Sequence, residues 1–298
     1  MHGWLVIDKP KGPTSAHVVA KVRRATGAKI GHAGTLDPLA TGILPLALGE
    51  ATKTVQFAMG GRKTYRFRIR WGIATDSDDC EGEVIGESVV RPDAAQIAAA
   101  LPGFTGTILQ RPPAYSAIKV AGRRAYALAR SGNPPELPAR PVDIHELRLI
   151  EAIDADHADF AALVGEGTYI RSLARDLALA LGTLGHIIEL RRLSVGRFTE
   201  SQAISLDSAI SLGHSLPASG NLLPLETVLD DIPALALTAA EAVRLRHGQR
   251  VLLCDSIEQA RLVQIDDGTI VGARHEDLLV ALARIEEGGL QPVRIINR

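Results

Sequence analysis

The sequence predicts an α+β protein with a small β-rich unit at its C-terminal end. Three observations carry this. Tyr65, Phe67, Ile69 and Trp71 alternate with Arg66, Arg68 and Arg70, the period of a strand with one buried face. Val18, Val19 and Val22, and later Ile170, Leu173, Ala174, Leu177 and Leu181, recur at helical spacing. Residues 199–298 contain no Phe, Tyr or Trp, and short apolar runs there alternate with turn residues. A chain of 298 residues can build one large domain, or a large and a small one.

Taken in order, Trp4–Ile7 reads as a short buried strand ending in turn chemistry, Asp8-Lys9-Pro10-Lys11-Gly12-Pro13. Thr14 or Ser15 then caps a helix that Gly27 terminates. Lys21, Arg23 and Arg24 lie off its apolar stripe, on a face for solvent or phosphate. Leu44–Leu48 carries Pro45, which predicts an edge or irregular strand. Glu50–Met59 has a helical pattern. In Arg62–Trp71 the three arginines share one face and repel each other unless acids or phosphates lie opposite. The acids that follow, Asp76, Asp78, Asp79, Glu81 and Glu83, are candidate partners. Residues 91–101 suggest a short Ala-rich helix and Phe104–Gln110 a strand.

Residues 110–141 are a Pro-rich, basic excursion with Lys119, Arg123, Arg124, Arg130 and Arg140 against one acid, Glu136. A helical turn or two is expected at Arg123–Arg130, and such an insertion suits gripping a polyanion. Val142–Ile150 and His157–Val164 read as strands, Tyr169–Leu181 as a helix, and Leu190–Phe198 as a strand-like segment. Arg171 and Arg175 lie one turn apart, off the helix's core stripe. Most arginines are exposed, so a surface position is the plain expectation for them. After a linker near 217–220, Ala239–Arg246 is a short helix. Val251–Leu253, Arg261–Ile265, Ile270–Ala273, Leu279–Ile285 and Pro292–Ile296 are short strands. The division expected is residues 1–232 and 233–298.

A net charge of −1 rules out a global basic field, so any nucleic-acid surface must be local. Cys80 and Cys254 are too few for a disulfide framework or thiolate metal site. No stretch approaches the ~18 apolar residues of a membrane span, and the N-terminus lacks the pattern of a signal peptide. The cytoplasm is the expected compartment.

The chemistry is best placed at His32–Leu44, HAGTLDPLATGIL. Asp37 is its one carboxylate. Pro38 pushes Asp37 out of helical geometry, and Gly34 and Gly42 flank it. An acid on an extended loop suits a reacting group, although an ordinary Asp-Pro turn would have the same residues.

These thirteen residues resemble, without a gap, the signature of the TruB family, pseudouridine synthases that act on the T-loop of tRNA. Lys63-Thr64-Tyr65, Gly167–Leu173 (GTYIRSL) and Leu190-Arg191-Arg192-Leu193 are similar to further motifs of that family, in the right order. Gly3–Gly12 and Pro112–Tyr126 are also similar, so the resemblance spans about residues 3–198. It implies a pseudouridine synthase fold, with a mixed, mainly antiparallel sheet flanked by helices and loops. It also implies a PUA-like C-terminal domain, where the likeness is faint.

The resemblance implies that Asp37 is the catalytic residue and that Arg171 pairs with it. Tyr65 would stack on an extruded uracil, and Tyr169 and Leu190 would line the pocket. His32 would meet the T-loop where the target leaves its stack. The partner implied is the T-arm of tRNA, with no obligate protein partner and a monomeric enzyme. Breaking C1′–N1 and joining C1′ to C5 adds no group and changes no oxidation state, so no cofactor is expected. His32 and Asp37 alone are too few ligands for a metal. Two other classes compete. A non-catalytic RNA-binding protein would use the same grip, with Asp37 structural. A glycoside hydrolase would need a second carboxylate in a supporting motif, which the loop does not offer.

Overall fold

A computed structural model describes residues 1–120, 122–133, 135–253 and 265–297. The N-terminal part runs β1 (Gly3–Lys9), α1 (Ser15–Thr26), β2 (Ile30–His32), β3 (Thr41–Leu48), α2 (Val55–Met59), β4 (Lys63–Trp71), β5 (Ile73–Thr75) and β6 (Val84–Glu87). Then come α3 (Ala94–Ala100), β7 (Gly106–Gln110), β8 (Lys119–Val120), β9 (Arg123–Arg124), α4 (Ala125–Arg130), β10 (Arg140–Ala152) and β11 (His157–Val164). The remainder of this part is α5 (Ile170–Ala180), β12 (Gly185–Val195), β13 (Phe198–Thr199), β14 (Ile204–Ser205), α6 (Leu206–Leu212) and β15 (Leu222–Leu223). The C-terminal part comprises β16 (Ala234–Ala236), α7 (Ala239–Arg246), β17 (Val251–Leu252), β18 (Ile270–His275), β19 (Leu278–Glu286) and β20 (Gly289–Ile295).

One mixed, mainly antiparallel sheet organises the first part, with central order β14-β1-β3-β12-β4-β11-β10-β7. The parallel contacts are β1 with β14 and β3 with β12. The alternation of β4 sets its faces. Tyr65, Phe67, Ile69 and Trp71 are buried, together with Val18 and Val22 of α1 and Leu173 and Leu177 of α5. Thr14 caps α1 by accepting from the His17 amide, and Gly27 ends it at φ 66°. Ser15 is thereby free to serve the Asp37 loop. The other face of β1 and β3 packs Trp4, Val6 and Ile43 in one cluster with Leu279, Leu282 and Ile296 of the C-terminal part. Both faces are therefore covered, which is why Trp4–Ile7 is apolar without alternation. The C-terminal sheet has the order β16-β18-β19-β20-β17 and its own apolar core. The strand expected at Arg261–Ile265 falls almost wholly outside the described residues.

Three expectations change. Leu44–Leu48 is not an edge strand: β3 lies inside the sheet between β1 and β12. The Pro45 carbonyl accepts from the Ala33 amide, just past the end of the short β2. A residue's nitrogen and carbonyl point to the same side of a strand. The missing N–H therefore faces the place where β2 ends, and β1 loses no ladder bond. Glu50–Met59 is not one helix. Gly49–Lys53 forms a tighter 3-10 turn, and the Thr54 hydroxyl bonds the Ala51 carbonyl at the break before α2. Side chain–backbone bonds of this kind compete with the α-helical ladder. The arginines of β4 do not pair with the acids at 76–83. Arg66 and Arg68 both bond Asp159 of β11, and Arg68 also meets Glu189 of β12, its registered neighbours in the sheet.

Candidate active site

Asp37 sits on the irregular, non-helical loop between β2 and β3, in a turn. Its carbonyl accepts from the Ala40 amide across an Asp-Pro turn. Its carboxylate, one-third exposed, faces a cleft of about 570 Å³. The side chains of Lys9, Ser15 and Arg192, all buried residues, hold the loop. The Ser15 hydroxyl accepts from the Leu36 amide at 2.8 Å and donates to the Leu36 carbonyl at 3.0 Å. The Pro38 carbonyl accepts from Lys9 Nζ at 3.2 Å and from the Gly12 amide at 2.8 Å. Arg192, almost wholly buried, donates to the carbonyls of Ile43, Gly34 and Thr35. The motif thus places one carboxylate at the cleft while its backbone polar groups are satisfied inside the protein.

Burial pushes the Lys9 ammonium down to about 8, with the Arg192 charge adding to it and the Asp37 charge opposing it. Sequence reasoning missed Lys9, Ser15 and Arg192 as parts of the site. One signal was available: strand alternation puts Arg192 on the same face as the buried Leu190.

Arg171 comes from the first turn of α5 and is buried at 3% exposure, not on the surface. Its Nε donates to Asp37 Oδ2 at 2.9 Å, Nη1 to the Ser77 carbonyl at 2.7 Å, and Nη2 to the Tyr115 carbonyl at 2.8 Å. Asp79 Oδ2 lies 3.6 Å from Nη1. Asp79 is itself held by the Ser77 hydroxyl and the Glu81 amide. Three chain segments therefore meet on one guanidinium: the Asp37 loop, the 76–83 hairpin loop and the root of the insertion. The acids at 76–83 thus serve this cluster. Asp76, Asp79 and Glu81 line the cleft with Asp37 and Tyr115. Burial, with the charges of Asp79 and Asp37 adding to it, raises the Glu81 carboxyl above the usual carboxylate range. The cleft is carboxylate-rich, with the Arg171 fork at its floor.

The other expected site residues are placed around this pair. Tyr169 caps α5 immediately before Arg171's turn. Its amide and carbonyl are both bonded by the Gln110 side chain, and the Arg140 guanidinium lies 5.6 Å from its ring centre. Burial raises the Tyr169 phenol. Tyr65 is buried in the cluster that also holds Leu36, Leu39 and Leu190. Leu190 lies on β12 opposite Phe67 and lines a separate cleft of about 400 Å³ with Leu39, Arg66 and Arg68. His32 ends β2, opposite Leu46. Asp37 and Arg171 are in direct mutual contact by a hydrogen bond. Among the described residues no group of three or more His, Cys, Asp or Glu is arranged to hold a metal ion.

The insertion folds over one side of the cleft as the β8–β9 hairpin and α4. The Tyr115 hydroxyl donates to Asp76 at 2.7 Å, and its ring meets Tyr126 edge-on. Arg130 stacks over Tyr126 with 5.3 Å to the ring centre.

A sequence model of the TruB family pseudouridylate synthase N-terminal domain matches residues 21–170. The chain belongs to the TruB pseudouridylate synthase family. A model of the tRNA pseudouridylate synthase B C-terminal domain follows at residues 171–230, ending before the second sheet begins at β16. TruB relatives align end to end. The Rhodospirillum rubrum protein named tRNA pseudouridine synthase B is 53% identical, over 100% of this chain and 97% of its own length. The Caulobacter vibrioides protein of the same name is 51% identical, over 99% and 96%. The fold is also similar to solved structures. The archaeal box H/ACA sRNP Nop10–Cbf5 complex matches at TM-score 0.72 and 24% identity, over 99% of this chain and 86% of that chain. A Cbf5–Nop10–Gar1 complex matches at 0.71 and 25%, over 99% and 85%.

Proposed function

We propose that this TruB-family chain converts uridine 55 in the T-loop of tRNA to pseudouridine, with Asp37 as the catalytic carboxylate. The observation that carries the reading is the Asp37–Arg171 pair at the floor of an open cleft, in a chain of this family. The reaction breaks C1′–N1, turns the uracil and forms C1′–C5. The C5 proton leaves and N1 gains one, so the atoms balance without an added group. A carboxylate beside the base can stabilise or capture the electron-poor C1′ and take the C5 proton. Arg171 sets a fixed positive charge against the carboxylate, and its three bonds orient it. A base inside a folded loop must first be extruded. Tyr65 and Tyr169 then supply aromatic walls, and His32 lies on the β2 side of the same loop; Leu190, which lines the separate cleft, is not assigned to this pocket.

Residues 1–232 form the catalytic unit in this reading, and residues 233–298 a PUA-like accessory unit. The partner is the tRNA T-arm. The enzyme acts as a cytoplasmic monomer with no obligate protein partner and no cofactor. Among the described residues no helix is long and apolar enough to cross a membrane.

Asp37→Asn tests the assignment. The variant is expected to fold and to bind tRNA while forming no pseudouridine, read by chemical mapping of the T-loop. Turnover near the wild-type rate would remove Asp37 from the chemistry. Modification only outside the T-loop would remove the substrate assignment.

A further inference from the structure

Arg171 does not hold its position alone. One helical turn on, Arg175 grips the same two segments at neighbouring points. Arg171 bonds the Ser77 carbonyl, and Arg175 Nη1 meets the next residue, Asp78, at 2.9 Å. Arg171 bonds the Tyr115 carbonyl, and Arg175 Nη2 donates to the Arg111 carbonyl at 2.9 Å. The Ser172 hydroxyl donates to that same Arg111 carbonyl. The two arginines form a two-rung ladder from α5 to the 76–79 segment and to the root of the insertion.

The Asp78 end of the ladder is anchored. Asp78 has φ 59°, a left-handed turn conformation that aspartate accepts more readily than most residues with a Cβ. Its amide donates to the Thr75 carbonyl, and its carbonyl accepts from the Ile187 amide of β12. Its carboxylate is 13% exposed.

We propose that Arg175, paired with Asp78, is a positioning residue: it holds the Ser77 and Tyr115 carbonyls where Arg171 can present its Nε to Asp37. This rests on the reading of Asp37 as the catalytic carboxylate. Arg175 touches neither Asp37 nor the cleft wall, so its effect on catalysis runs through Arg171.

The charged groups facing Asp78 are Arg175, Arg171 and Asp176, all from α5. β12 contributes the Ile187 backbone, and the insertion root offers Arg175 a carbonyl. Burial raises the Asp78 carboxyl to about 6 in spite of the two arginines. Above that pH the carboxylate is ionised and the bond to Arg175 is charge-assisted on both sides; below it the acid is neutral and the bond loses its ion-pair strength. The ladder therefore loosens on the acid side.

The experiment measures kcat and KM for tRNA across pH, with melting curves, for wild type, Arg175→Gln, Arg175→Lys, Asp78→Asn and Asp37→Asn. Arg175→Gln is expected to lower kcat about ten- to a hundredfold, the range for misplacing a catalytic group at a distance, with KM unchanged. Arg175 also bonds Asp176 through Nε at 2.9 Å, and Arg175→Lys cannot reach Asp78, the Arg111 carbonyl and Asp176 together, so it should fall between; it carries the test if the glutamine variant does not fold. Wild-type kcat should decline as pH falls through about 6, and Asp78→Asn should lack that decline and run at a lower level. A wild-type kcat in folded Arg175→Gln would overturn the inference, as would an intact acid decline in Asp78→Asn. Lowered melting with unchanged kcat would do the same. An active wild type, a dead Asp37→Asn and a normal Arg175→Gln would overturn this inference alone. An inactive wild type, or an active Asp37→Asn, would overturn the functional reading and this inference with it.

Discussion

Replacing Arg171 by lysine keeps one positive charge on α5 and removes the planar fork. The wild-type side chain satisfies three acceptors at 2.7 to 2.9 Å in a site only 3% exposed. An ammonium is a compact point donor and cannot reach all three from one position. The Asp37 carboxylate is one-third exposed and can recover water. The bond to the Ser77 carbonyl is buried and that to Tyr115 partly so, and at least one of these carbonyls is orphaned. A buried acceptor left unsatisfied costs roughly 1–3 kcal/mol. Asp79, whose carboxylate is 5% exposed, also loses the guanidinium nitrogen that lies 3.6 Å away. The expected loss of stability is about 2–4 kcal/mol. Urea unfolding at unchanged m measures it. Pseudouridine formation, assayed where both proteins are fully folded, should fall by at least about a hundredfold because Asp37 loses its fixed partner. A midpoint matching the wild type would refute the bond accounting. Full activity in a destabilised variant would refute the link from the fork to Asp37.

Two further outcomes follow from the fold. Gly42 has φ 99°, and a Cβ there would lie 2.1 Å from the Arg192 backbone carbonyl across the β3–β12 contact. Gly42→Ala should therefore cost about 3–5 kcal/mol, combining left-handed strain with forced strand separation. Gly12→Ala, also at positive φ but with nothing near its Cβ, should cost only the strain, and similar denaturation midpoints would contradict this. The Arg68 bond, with Arg66 adding to it, holds the Asp159 carboxyl below the usual carboxylate range. A depressed carboxyl contributes stability that is present above the unfolded-state value and is lost as pH falls below about 4. Asp159→Asn should therefore flatten the acid side of the stability–pH curve, read from denaturation midpoints at several pH values; an unchanged slope would place the acid sensitivity elsewhere.

Local periodicity was enough for the elements that present one apolar face. β4, β11, α1 and α5 follow directly from spacing, because a period of two or 3.6 puts the apolar residues on the buried side whatever packs against it. The Asp37 loop was also readable, since Pro38 and the flanking glycines restrict its backbone locally. Arg171 and Lys9 were not readable from periodicity, and Arg192 only through its alternation with Leu190. A long cationic side chain in a sequence looks solvated, and its burial depends on carbonyls supplied by segments far along the chain. Ser77 and Tyr115 lie 94 and 56 residues from Arg171, and Gly34 lies 158 from Arg192. Pro45 misled for a related reason: whether a missing N–H costs a bond depends on which strand lies on that side and where it ends. The sequence by itself determined which groups are present, the faces of the main strands and helices, and a non-helical loop carrying Asp37. The tertiary structure decided which buried donors hold that loop and which carbonyls fix the Arg171 guanidinium against its carboxylate. Those contacts join residues that only the folded chain brings together.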